Sequence, residues 1–95
     1  MELIGVIVKV GDARELDGAQ GKIKMVDVTI NAGTDHLVAT AFEKTAELIT
    51  HPDFKPWSLM KMRVTTQIRE KDGKLFNSIR LEAFGYLTKQ ENDMY

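Results

Sequence analysis

The sequence predicts an all-β fold: a five-stranded Greek-key barrel with one short helix between the third and fourth strands. Three observations carry this expectation. Apolar and polar residues alternate with a period of two over most of the chain, the pattern of half-buried strands. Two long alternating segments flank Lys71-Asp72-Gly73, and an Asp-Gly step in that setting is the strongest short-range hairpin signal. Helical patterning is confined to one segment, 43–50.

Taken in order, residues 1–10 (MELIGVIVKV) form a β-branched apolar strand, buried on both faces for part of its length. Gly5 in its middle marks a bulge or a sharp bend. Residues 11–21 read as a polar loop with three glycines, and 22–31 (KIKMVDVTIN) as the second strand, with Asp27 an unusual charge inside it. A turn at 32–35 leads to the third strand, 36–42 (HLVATAF). In EKTAELIT, Ala46 and Ile49 share a face with Phe42, while Glu43, Lys44 and Glu47 take the other. That helix stops before Pro52, because the residue preceding a proline avoids the α region. The connector 51–58 (HPDFKPWS) carries Phe54 and Trp57, expected to plug the barrel end beneath the helix, with a stacking platform or a subunit contact as the alternatives. Two longer strands follow: Lys61, Arg63, Thr65, Gln67 and Arg69 alternate with Met62, Val64, Thr66 and Ile68, and LFNSIRLEAF alternates again after the turn. The order β-β-β-α-β-β is that of the OB-fold, a closed barrel that hides the strand edges. The expected organisation is one OB-fold domain at 1–89 and a flexible C-terminal end at 90–95.

Composition narrows the functions. A 95-residue chain buries only about 60–65% of its unfolded surface, so its core is shallow and self-association is an inexpensive way to bury more. Met60, Met62, Ile4 and Val6 are the expected subunit contacts of a homo-dimer or homo-tetramer. With no cysteine, disulfides, zinc ribbons and thiol catalysis are excluded. Two histidines without a convergent carboxylate pair make no metal site, and no cofactor is expected. Neither a Ser-His-Asp set nor a Gly-rich phosphate loop is present, so the chain does not read as an enzyme. Without a long apolar run or a basic-then-apolar leader, a cytoplasmic protein away from membranes is the expectation.

The overall charge is −1, but it is unevenly spread. Residues 1–50 carry five basic and eight acidic groups, and 51–95 carry eight and six. Between Lys55 and Arg80 seven cations face two acids, Glu70 and Asp72, a local excess of five positive charges. A cationic hairpin on a nearly neutral β domain points to a polyanionic strand as partner. The electrostatic candidates are Lys22, Lys24, Lys61, Arg63, Arg69, Lys74 and Arg80. Singly, each also reads as an ordinary solvated strand position; clustering on adjacent strands favours ligand contact. Phe76 shares the alternation of Arg80 and is a candidate base-stacking residue. The acidic loop residues Asp12, Glu15 and Asp17 would repel phosphate.

Three segments in the same order resemble the single-stranded DNA-binding protein family of bacteria and phages, over roughly Leu3 to Leu87. GDARELDGAQGK is similar to that family's Gly-x-Asp/Pro-Glu-Leu…Gly-Lys segment, and AFEKTAEL to its Ala-Phe-Gly-Lys-x-Ala-Glu signature. SLMKMRVTTQIREKDGKLFNSIRLEAFGYL is similar to its hairpin with a closing Asp-Gly turn. The short form is also similar to the primosomal OB-fold relatives. The resemblance implies bases stacked on aromatics at positions that read His36, Phe42 and Ile68 here, so Phe42 is the clear stacker, although the end of a strand before a helix is equally a place for a core aromatic, and His36 is a weak substitute. It implies single-stranded DNA as partner, with a replication protein as a further contact. The family's Gly/Pro/Gln-rich tail has no counterpart before the closing ENDMY.

The expected function is therefore sequence-tolerant single-stranded DNA binding in replication, recombination or repair, by backbone charge neutralisation and limited base stacking. The alternative from another class is an OB-fold protein–protein assembly module with weak or no nucleic-acid binding. An RNA-binding OB domain stands third.

Overall fold

A computed structural model describes residues 1–87, without the side chain of Arg69. The expected C-terminal end at 90–95 lies outside the described residues, as do 88 and 89 of the domain. The elements are β1 (Glu2–Val10), β2 (Arg14–Gly18), β3 (Gly21–Ala32), β4 (Asp35–Phe42), α1 (Glu43–Thr50), β5 (Met60–Lys71) and β6 (Lys74–Tyr86). Strands β1, β3, β4, β6 and β5 close into a five-stranded barrel, with α1 between the third and fourth of them in chain order.

Closure depends on β1 serving two partners. Glu2 to Gly5 pair antiparallel with β5, ending at Gly5↔Met60, and Val6 to Val10 pair with β3, beginning at Val6↔Asn31. Gly5 sits at the handover, where a Cβ would run into the Asn31 carbonyl oxygen. It is the expected bend; the bulge lies further on, between Ile7 and Lys9. The circuit is completed by the parallel pairing of β4 with β6 at Thr40↔Arg80 and Ala41↔Leu81.

The interior is filled by alternate residues of each strand: Ile7, Val26, Val28, Ile30, Ala39, Ala41, Met60, Met62, Val64 and Leu81, with Ala46 and Ile49 of α1 covering one end. No polar or charged residue is buried among the described residues. Met60 and Met62, expected at a subunit contact, are instead fully enclosed, since they share the parity of Val64. Of that set Ile4 remains exposed and Val6 half-buried.

The segment 11–21 is not simply a loop. Arg14 to Gly18 form β2, which pairs with the first half of β3 from Arg14↔Met25 to Gly18↔Gly21 and makes an arm outside the barrel. Its polar composition conceals a strand because neither face is covered. The hairpin of β5 and β6 forms a second arm, closed by the two-residue turn Asp72-Gly73 with φ of 53° and 76°, the type I′ geometry. Helix α1 has the expected bounds. Its first residue, Glu43, stands where the resembled signature has glycine and adopts φ of 51°, a left-handed conformation glycine takes without steric cost.

Phe54 closes the barrel end as expected, its ring 5.6 Å from Phe84 and 6.4 Å from Tyr86. Trp57 does not join it. The indole residue is 67% exposed, contrary to expectation, because the three smaller rings already fill that end.

Candidate nucleic-acid interface

Strand alternation sends Met25 and Asp27 of β3, Thr40 and Phe42 of β4, Ser78 and Arg80 of β6, and Thr65 and Gln67 of β5 to the outer surface of one barrel wall. Register aligns them in rows across four strands: Asp27↔Thr40, Thr40↔Arg80 and Arg80↔Thr65 form one, with Met25↔Phe42 and Gln67↔Ser78 beside it. At the centre the Arg80 guanidinium lies over the Phe42 ring, 4.8 Å from its centroid. Met25, Thr40, Gln67, Ser78 and Ile79 complete a shallow groove of about 110 Å³ around this pair.

Charges alternate along the row. The Asp27 carboxylate accepts from the Arg14 guanidinium at 2.8 Å and from the Thr40 hydroxyl at 2.8 Å. Arg14 on β2 is thus the basic partner of Asp27, and it was not identifiable while β2 read as a loop. Glu82 accepts from the Thr65 hydroxyl at 2.9 Å and lies 3.3 Å from Arg80 Nε. It occupies the position where β6 carries one residue more than β5, between Arg63↔Ala83 and Val64↔Leu81. Both ion pairs are substantially exposed, so each contributes only about 0–1 kcal/mol.

The other predicted residues divide into two groups. Phe76, half exposed and opposite Arg69 in the ladder, continues the outer face toward the hairpin tip, where Lys74 pairs with Lys71. Arg63 continues it in the other direction, opposite Ala83, followed by Lys61, whose Nζ is 3.8 Å from Glu2. Among the described residues Arg63 and Lys74 have no ion pair. Phe42, Phe76, Arg80, Arg63 and Lys74 therefore share one surface, with Lys61 at its end; Arg69 has its backbone in the same ladder.

Lys22, Lys24 and His36 do not join them. Lys24 has the inward parity of Val26, and its ammonium donates to the Thr50 hydroxyl at 2.8 Å, at the C-terminal end of α1 where a cation is favoured. Lys22, on the same side, borders a hollow with Glu43. Both placements were legible, because KIKMVDVTI puts Lys22 and Lys24 in phase with Val26 and Val28 and out of phase with Asp27. His36 is at the far end of β4, about 20 Å along the strand from Phe42, with Nδ1 2.6 Å from Asn31 Oδ1. Ile68, at the position of a resembled stacking aromatic, is exposed on the opposite face of the hairpin. No group of His, Cys, Asp or Glu suited to a metal occurs among the described residues, and no helix there is long and apolar enough to cross a membrane.

No family model and no curated protein sequence matches the chain. A small single-stranded DNA-binding protein from Streptomyces coelicolor superposes at a TM-score of 0.49 with 11% identity, over 95% of this chain and 94% of that one. The second OB-fold domain of replication protein A from Methanococcus maripaludis superposes at a TM-score of 0.62 with 15% identity, over 93% of this chain and 83% of that domain. The chain is an OB-fold. In OB-fold terms, β3 and β4 are the second and third barrel strands, the β2 arm lies in the first connection, and the β5–β6 hairpin is the last.

Proposed function

We propose that this OB-fold binds single-stranded DNA, with little sequence preference, along the outer face that runs from Arg63 through the Arg80–Phe42 pair to the hairpin tip. The OB-fold binds oligonucleotides on the face of its second and third strands and on its first and last connecting arms, and this surface takes in Phe42 on that face and the last arm. The observation that carries the reading is the Arg80–Phe42 pair in its groove, continuous with a hairpin rich in cations. A guanidinium over an aromatic ring offers a phosphate contact and a π-face together, the two elements of sequence-tolerant strand binding. The work of such a protein lies in replication, recombination or repair within the cytoplasm.

Fluorescence anisotropy of labelled oligo-dT at several salt concentrations tests this. Saturable binding that weakens with salt is expected. Arg63→Ala together with Arg80→Ala should weaken it and flatten its log–log salt slope by about 1.4, since each phosphate contact on a single strand accounts for about 0.7. Absence of salt-sensitive binding at low ionic strength would favour the assembly-module reading.

A further inference from the structure

Trp57 is the sole tryptophan of the chain and is 67% exposed. A large aromatic left in water is unusual for a barrel whose nearest end is already closed by Phe54, Phe84 and Tyr86. Its position is nevertheless well determined. Its backbone N–H donates to the Ile7 carbonyl at 3.0 Å, prolonging the β1–β5 pairing beyond Gly5↔Met60. Its φ is 67°, a conformation unfavourable for a bulky side chain and one that persists only where the surroundings impose it. An exposed indole on a strained, hydrogen-bonded backbone is held out from the surface without contributing to the core.

The connector that holds it runs directly into the strand that carries Lys61 and Arg63. Arg63 and Lys61 lead along β5 to its first residue, Met60, and the connector that feeds β5 holds Trp57 three residues earlier, in a turn anchored on the Ile7 carbonyl. Lys55, exposed, lies just beyond, with its backbone N–H bound to the Tyr86 hydroxyl at 2.9 Å. Trp57 thus stands in the chain between the exposed cations Lys55 and Lys61, and an aromatic among cations suits an extended polyanionic strand. We infer that Trp57 is a second stacking platform for the same single strand, extending the interface from the Arg80–Phe42 groove past Arg63 and Lys61 to the connector before β5. This rests on the reading of the groove as a single-stranded DNA site, and the exposed lysines beside Trp57 favour a nucleic-acid occupant over an apolar one.

With one tryptophan, intrinsic fluorescence reports on this position alone. Titration with oligo-dT of about sixteen nucleotides, the upper range for one OB-fold site, should quench the emission saturably, with the midpoint given by anisotropy. Trp57→Gly should lower affinity for that oligonucleotide by about 5- to 100-fold, the factor expected of one stacked base. It should leave the salt slope unchanged, and its melting temperature should hold or rise, because glycine relieves the positive φ. Trp57→Phe should retain most of the affinity. Anisotropy that reports binding without quenching would overturn the platform while leaving the groove reading intact. A fall in melting temperature with unchanged affinity would assign Trp57 a purely structural role and also overturn it. No binding in either channel would remove the groove reading itself. Emission that depends on protein concentration without DNA would identify a second copy of the chain as the occupant and overturn the proposal.

Discussion

Phe42 illustrates how one residue meets two demands. It ends β4 in the extended conformation, with φ of −123°, and hands the chain to α1, so its backbone belongs to the fold. Its ring is half-buried, with the Arg80 guanidinium over it. A base stacked there would gain about 1–3 kcal/mol. Phe42→Ala is therefore expected to weaken oligo-dT binding by that order with little change in salt slope, because stacking releases no counterions. A thermal melt of the same variant separates this from lost packing, and a slope that fell as much as in the arginine variants would contradict the stacking role. Phe42 and Arg80 were both readable as candidates from sequence. Their contact was not, because it depends on the parallel β4–β6 pairing that exists only once the barrel closes. The lysines of β3 show the reverse: their charge drew attention, while their parity with Val26 already assigned them to the other side.

Among the elements, the β5–β6 hairpin was the most legible and the β2 arm the least. The hairpin announced itself because alternation on both sides of Asp72-Gly73 demands antiparallel pairing, and the register Lys71↔Lys74 obeys it. Alternation alone did not reveal where the barrel stops. Met62 and Val64 are enclosed, yet Thr66 and Ile68, in the same phase, are exposed because the strands have run past the core. The outer part of the hairpin is thus free of any packing duty. Excising Ile68 to Lys71 and Lys74 to Asn77 would join Gln67 to Asp72-Gly73 and then Ser78, preserving both turn and pairing phase. This variant should melt close to the parent, because it loses none of the enclosed residues. It also loses Arg69, Lys71 and Lys74, and the salt slope of oligo-dT binding should drop by up to about 2 if all three touch phosphate. Unchanged affinity and slope would restrict the interface to the barrel wall.

At the scale of the whole molecule, the barrel and the proposed interface occupy different layers of the same strands. Inward residues close a core with no polar or charged residue among those described, and outward residues are left to carry charge, so the proposed binding face can vary without disturbing the fold. The fold class was accessible from alternation and element order, since both follow from what each strand must bury. The site was accessible only in part, because exposed residues obey no comparable constraint. Hydrogen exchange should resolve the two layers. In the free protein the slowest amides are expected in β3, in β4 and in β5 from Met62 to Val64, where the ladders enclose the core, and the fastest in β2 and around Asp72-Gly73. Adding oligo-dT should raise protection in residues 63–80 and around Phe42, and around Trp57 if the strand reaches that far. α1 is expected to change little, as its Thr50 holds Lys24 away from the interface. Protection concentrated on α1 and the first half of β3 would instead assign the nucleic acid to the lysine side of the barrel, and the face built around Arg80 would have to be abandoned.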